Sequence, residues 1–332
     1  MRPLKKQLLA LLLASAGMPA LAEVKEVNVA QQYGVSFLPL ILMERNKLVE
    51  KHAKATGLGE VRVSWAKVAG PSVINDGLIT GNVHFAATGA PSMITLWDKT
   101  KGAVKGVASM TTYPLYLITR DPDVKSVKDF SEKDKIAVPS IKVSTQAILL
   151  QMAAAKAFGP DQYARLDTLT VGLSHPDAML ALMNNTGGVN SHFTSSPFYE
   201  QEMKVPGART VLTSYDILGG RATAVLITAS SKFREANPKT YRAFFDALSE
   251  SIETIRKDKR AAAKVYLEQA QDKKNTVDDI LRMIDNPDYE YTLRPEKVQK
   301  TAEFMHQIGN IKKRPDSWKD LFFPEVHPLE GD

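Results

Sequence analysis

From Tyr241 onward the apolar side chains Tyr241, Phe244, Phe245, Leu248, Ile252 and Ile255 recur at the spacing that lays one stripe along a helix. Pro238 after Asn237 marks the start of that helix, because a proline at the first helical position forfeits no hydrogen bond. A second stripe, Val298, Ala302, Met305 and Ile308, follows Pro295 and stops at Gly309. The C-terminal third is therefore expected to be mainly helical. Elsewhere the pattern changes to short β-rich runs: Val61 to Trp65, Tyr113 to Thr119, Leu169 to Leu173 and Ala222 to Thr228. Helical segments separate these runs, and the alternation predicts an α/β fold with a parallel-type sheet covered by helices on both faces.

One succession of elements occurs twice. Gly70 to Pro91 reads GPSVINDGLITGNVHFAATGAP, and His175 to Pro197 reads HPDAMLALMNNTGGVNSHFTSSP. Each copy has a proline at a helix start, an apolar helical face, a glycine stop, a short strand, a threonine (Thr88 or Thr194) and a closing proline. Upstream of each lies a strand that leads into a helix, beginning EVNVAQ at Glu26 and KIAVPS at Lys135. Val29 and Val138 are 109 positions apart, Ser36 and Ser144 are 108 apart, and Thr88 and Thr194 are 106 apart. So steady an offset indicates that two halves of the chain build the same unit.

Residues 1–22, MRPLKKQLLALLLASAGMPALA, place Arg2, Lys5 and Lys6 ahead of an apolar run from Leu8 to Ala16 and end in Ala20-Leu21-Ala22. This is the layout of a cleavable export signal, and the run is shorter than the ~20 residues a bilayer crossing needs. A periplasmic mature chain starting near Glu23 is expected. The sequence has no cysteine, which excludes a disulfide framework, a thiolate metal site and a lipid-bearing cysteine after the signal. Beyond the signal 40 Lys and Arg stand against 37 Asp and Glu, a balance too weak and scattered to suggest nucleic acid. About 310 mature residues exceed the ~100 to 200 of a usual single domain. Two lobes are expected, 23–112 with 225–332 and 113–224, with YPLYLIT and ATAVLIT as the crossover strands between them.

In open α/β sheets ligands bind beyond the carboxyl ends of the strands, at loops that lead into helices. Each half contributes two such loops: Tyr33 to Phe37 and Thr88 to Ala90, then Ser140 to Thr145 and Thr194 to Ser196. All carry hydroxyls or glycine at a helix N-terminus, where free N–H groups and the positive end of the helix dipole attract an anion. Arg221, after Gly219 and Gly220, is placed to pair with a carboxylate or sulfonate. Phe37, Tyr113 and Phe193 flank the loops, where they either stack on an organic ligand or simply fill the core. The six histidines show no HExxH spacing, and neither a G-x-S-x-G elbow nor a phosphate-binding loop occurs. No catalytic residue, metal or cofactor is expected, His84 and His192 included.

The stretches YGVSFLPLILMERNKLVEKH, DGLITGNVHFAATGAPS, KIAVPSIKVSTQAILL and LALMNNTGGVNSHFTSSPFYE resemble, in order, the signature segments of the nitrate, sulfonate and taurine class of periplasmic solute-binding proteins that serve ABC importers. The resemblance runs from about Lys25 to Tyr266. It implies the type II periplasmic-binding-protein fold, with two lobes, each a mixed sheet flanked by helices, and a ligand cleft between them. It also implies a monomer that captures a small organic anion and hands it to a permease in the inner membrane. Carried onto this chain, the ligand contacts are Gly34, Ser36 and Phe37, Thr88 and Gly89, Ser144 and Thr145, and the turn from Thr194 through Ser195 to Ser196. His84 and Asn190 stand where relatives usually have aspartate, and Val143 where they often have glycine, which leaves the substrate open. An enzyme on the same fold, akin to thiamine-precursor synthases or menaquinone-pathway enzymes, is the rival reading. Such enzymes are cytosolic and the synthases use a cysteine-rich motif, against the export signal and absent cysteine here. A ligand sensor without a permease is a third.

Overall fold

Strand and helix alternate from the first described residue. The computed structural model describes residues 23–332, so the expected export signal lies outside the described residues. In the first stretch β1 (Glu26–Gln31) leads to α1 (Leu38–Asn46), α2 (Leu48–Ala55), β2 (Arg62–Lys67), α3 (Pro71–Thr80), β3 (Phe85–Thr88), α4 (Ala90–Lys99) and β4 (Val104–Thr112). The second contains β5 (Tyr116–Thr119), β6 (Ile136–Val138), α5 (Thr145–Phe158), β7 (Thr170–Gly172), α6 (His175–Asn184), β8 (Ser191–Thr194), α7 (Phe198–Glu202), β9 (Arg209–Thr213) and α8 (Ser214–Leu218). The last holds β10 (Thr223–Ser230), α9 (Ser231–Ala236), α10 (Pro238–Lys257), α11 (Lys259–Ala270), α12 (Val277–Ile284), β11 (Glu290–Tyr291) and α13 (Val298–Gln307).

Hydrogen bonding sorts the strands into two mixed sheets, ordered β11-β4-β10-β3-β1-β2 and β7-β6-β8-β5-β9. Apart from β11 the two orders match. The strand β1 pairs in parallel with β2 and β3, as β6 does with β7 and β8. An antiparallel strand from another part of the chain, β10 or β5, then lies beside β3 or β8. The doubled sequence unit is thus a doubled sheet. Register adjusts the correspondence: Val29 pairs with Phe85 and Ile136 with Ser191, the residues that open β3 and β8. Val29 therefore corresponds to Ile136 rather than to Val138.

The expected stripe on α10 is buried at Tyr241, Phe244, Leu248, Ile252 and Ile255, while Phe245 is only partly covered. Phe244 stacks face to face on Phe85 of β3 with ring centroids 3.7 Å apart, which ties the C-terminal helices to the first sheet. The second expected helix begins at Val298, and Gly309 beyond its end has φ 74°. Strand β4 has no counterpart in the sequence reading. Eight of its nine residues are buried, so it shows no alternation of polar and apolar positions. Its Gly106 is required by packing, because a β-carbon there would stand 2.4 Å from the Phe322 ring.

The crossings between sheets are shorter than the expected crossover strands. The run expected from Tyr113 becomes a strand only at Tyr116, and Tyr113, Pro114 and Leu115 link β4 to β5. Pro114 has no N–H to give a ladder. On the return, Gly219 to Ala222 join α8 to β10.

Candidate functional site

Four helices of at least ten residues begin at one place between the sheets: α3 at Pro71, α4 after its cap Gly89, α5 after its cap Ser144 and α6 at His175. Each follows the carboxyl end of a strand, as the topology requires. Ser144 Oγ accepts from the Ala147 N–H at 3.3 Å and donates to the Ser140 carbonyl at 2.8 Å. Ser174 caps α6 in the same manner through the Asp177 N–H. Residues from these starts, together with Gln32, Tyr33, Phe37, Tyr113 and Leu115, enclose a cavity of about 30 Å3.

Glycines set how closely the two sides meet. A β-carbon on Gly89 would stand 1.7 Å from Thr145 Oγ1, and one on Gly70 2.4 Å from the Pro139 carbonyl oxygen. Gly34, at φ 125°, lies against the Ser196 carbonyl, which accepts the Val35 N–H at 3.4 Å. The lobes are thus closed on each other, and about 30 Å3 is room for little more than a water molecule. Past Gln32 and Tyr33 the cavity adjoins an outer pocket of about 350 Å3, with Ile41, Met179, Phe198 and Tyr266 on its walls and Lys67 and Lys273 among its cations.

The polar groups are mostly hydroxyls. Thr88 Oγ1 and Ser36 Oγ are fully buried without a well-aligned hydrogen-bond partner, the state expected of groups reserved for a ligand. Burial pushes the Tyr113 hydroxyl above its usual pKa, with the Ser36 and Ser195 hydroxyls opposing the shift, and the Tyr113 ring stacks on Tyr289. No lysine or arginine stands among the residues that line this cavity. Positive potential there comes from helix starts.

Behind the wall runs a chain of buried polar side chains. Gln146 Nε2 lies 3.2 Å from His175 Nε2, His175 Nδ1 lies 2.9 Å from His192 Nε2, and His192 Nδ1 lies 2.5 Å from Glu202 Oε1. Phe198 stacks on the His175 ring at 5.6 Å. Burial first, and the neighbouring His192 second, hold His175 well below the ordinary histidine pKa.

Of the residues singled out from sequence, Phe37, Thr88, Gly89, Tyr113, Ser144, Thr145 and Ser195 all line the cavity. Gly34 lines the outer pocket instead. Ser36 lies beside Tyr113, and Thr194 is fully buried with its hydroxyl 3.5 Å from the Ser195 carbonyl. Arg221 is elsewhere: it pairs with Glu290, lies 3.7 Å from Glu296 and donates to the Pro287 carbonyl at 3.3 Å. Those carboxylates occupy the guanidinium that the sequence assigned to a ligand. Phe193 is fully buried core. His84 accepts the Asn28 N–H and stacks on Phe233, and His192 stands behind His175. Gln146 and His175 line the cavity but were not among the sequence candidates. The repeat held a signal for His175, which opens the second copy where Gly70, beside the lining residue Pro71, opens the first.

The solved structures that share this architecture include the alkanesulfonate-binding protein SsuA of Xanthomonas axonopodis pv. citri bound to MOPS, at 16% identity and TM-score 0.70 over 88% of this chain and 96% of that one. The periplasmic aliphatic sulphonate binding protein SsuA of Escherichia coli matches at 17% identity and TM-score 0.65, over 91% and 92%. A Candida albicans protein with the generic periplasmic binding protein fold matches at 15% and 0.65, over 90% and 96%. At such identities the likeness establishes the fold, which is that of periplasmic binding proteins. No curated protein matches the chain in sequence. The NMT1-like family model matches residues 20–267, nearly the span over which the sequence segments carry their resemblance, and the chain belongs to the NMT1-like family.

Proposed function

We propose that the protein is the extracytoplasmic receptor of an ABC importer, which closes two lobes on a small organic anion and presents it to a membrane permease. The observation that carries this reading is the convergence of four helix N-termini and the buried Thr88 hydroxyl, which has no hydrogen-bond partner among the described residues, around a cavity between two like sheets. Backbone N–H groups at helix starts bind anions without any cationic side chain. Sheet membership supports lobes of 23–112 with 225–332 and of 113–224. Thr88, Gly89, Tyr113, Ser144, Thr145 and Ser195 are the proposed contacts. The two solved proteins named for sulfonates favour sulfonates as the first ligands to try. A binding role needs no reacting group. Among the described residues no helix is long and apolar enough to cross a membrane, which suits a mature chain free in the periplasm.

The test is a thermal-shift screen of small sulfonates, carboxylates and neutral analogues. A ligand that binds only the folded state stabilises it by about 2.7 kcal/mol at a hundredfold excess over its dissociation constant. A marked shift with an acid supports the reading. Shifts with neutral compounds alone would overturn it.

A further inference from the structure

The buried chain behind the cavity wall has a direction, and Glu202 sets it. Glu202 and His192 are fully buried, and an ionised carboxylate can only accept hydrogen bonds. With neutral imidazoles, His192 Nδ1 then carries the hydrogen that meets Glu202 Oε1, and its Nε2 is a bare acceptor. That acceptor takes the hydrogen of His175 Nδ1, which leaves His175 Nε2 bare in turn. Only the amide nitrogen of Gln146 can satisfy it, since the amide oxygen would face another lone pair. With Glu202 a carboxylate and both imidazoles neutral, each link excludes its reverse. Burial of His175 favours the neutral ring that this pattern needs.

We propose that Glu202, acting through His192 and His175, fixes the Gln146 amide with its nitrogen turned inward and its carbonyl oxygen turned to the cavity, so that the site selects acids bearing a hydroxyl or ammonium donor beside the anionic group. Gln146 lines the cavity, and its oxygen has no hydrogen-bond partner among the described residues. The serine and threonine hydroxyls around it can rotate to give or accept a hydrogen bond, and the helix starts only give. The Gln146 oxygen can only accept, and it repels an anion's oxygen. His175, His192 and Glu202 are positioning residues, and Gln146 is the specificity residue. The inference about the ligand rests on the anion-receptor reading, whereas the direction of the chain stands without it.

Two measurements test the proposal. Nitrogen-15 NMR of the whole mature protein near neutral pH reads the tautomers: both His175 and His192 should carry hydrogen on Nδ1 and none on Nε2. A hydrogen on His175 Nε2, or an imidazolium at His192, would overturn the fixed direction. Calorimetry with ethanesulfonate and 2-hydroxyethanesulfonate, which differ by one hydroxyl, should show the hydroxylated probe bound roughly tenfold more tightly, as one added hydrogen bond allows. Glu202→Gln frees the chain to reverse and should bring the ratio near one. Gln146→Met, which keeps the side-chain length at the cavity wall, should do the same and serves if the buried Glu202 variant does not fold. Equal affinities in the wild type, or a ratio unchanged in both variants, sink the selectivity. If neither sulfonate binds, the sulfonate form of the receptor reading fails, and the tautomers still decide the chain.

Discussion

Gly89 has φ −88°, a conformation open to any residue, so its backbone does not require glycine. Its neighbour does. A β-carbon there would lie 1.7 Å from Thr145 Oγ1 and 3.1 Å from Thr145 Cβ, so turning the hydroxyl away would not relieve the contact. Gly89→Ala should therefore weaken ligand binding roughly ten- to a hundredfold, the equivalent of about 1 to 3 kcal/mol of overpacking in the closed state. Calorimetry with a ligand from the screen measures it, and an unchanged ligand-free melting temperature would place the cost on closure rather than on folding. Two histidines give a pH dependence. His84 Nδ1 accepts the Asn28 N–H at 3.0 Å, and burial lowers its pKa despite Glu26 nearby, while His175 is lowered further. Both bind a proton more readily in the unfolded chain. Their contribution to stability is complete above the ordinary histidine value of 6.5 and declines as the pH falls through and below it. The melting temperature should drop between pH 7 and pH 5, and His84→Gln, which keeps an acceptor and removes a titration, should flatten that drop. At this scale the small residues of the loops were legible because glycine and hydroxyl side chains mark helix starts. Arg221 was not, since its partner Glu290 lies on β11, far along the chain.

Helix α5 shows how far an element can be read from its own residues. Ser144 accepts the Ala147 N–H as an ordinary cap, and the helix behind it is buried along Ala147 to Ala154. Ser144→Ala should cost about 1 kcal/mol of stability by urea titration, and the ligand affinity should fall less than in Gly89→Ala because the backbone donors remain. An affinity loss larger than that of the glycine variant would make the hydroxyl a direct ligand contact of first importance. The strands were less legible. β10 stood out by composition and β3 through the repeat, but β4 and β9 did not: β4 is almost wholly buried, and β9 is intermediate throughout at a sheet edge. Neither burial pattern has the period of two by which a strand is recognised.

At the scale of the molecule, three close approaches hold the lobes together around the cavity, at Gly34, Gly70 and Gly89, while Tyr113 to Leu115 and Gly219 to Ala222 carry the chain across. A cavity of about 30 Å3 admits no organic ligand from solution, so on the proposed receptor reading the approaches have to open for entry and re-form around the ligand. Small-angle scattering should show a smaller radius of gyration with a saturating ligand than without. Hydrogen exchange should slow at both crossing segments. Superimposable scattering curves together with unchanged exchange would show that the molecule is no hinged clamp.

What the sequence by itself determined is whatever rests on short-range physics: the α/β alternation, the stripe on α10, the helix starts at Pro71, Ser144 and Pro238, and the repeat that makes two sheets. These follow from backbone propensity and period, which act over a few residues. Tertiary structure alone decided which sides meet and what faces the cavity. Glu290 and Glu296 turned Arg221 away, Phe322 required a glycine in β4, and Glu202 reached His175 through His192. Long polar side chains go where their partners are, and those partners lie on other elements that the local pattern cannot place.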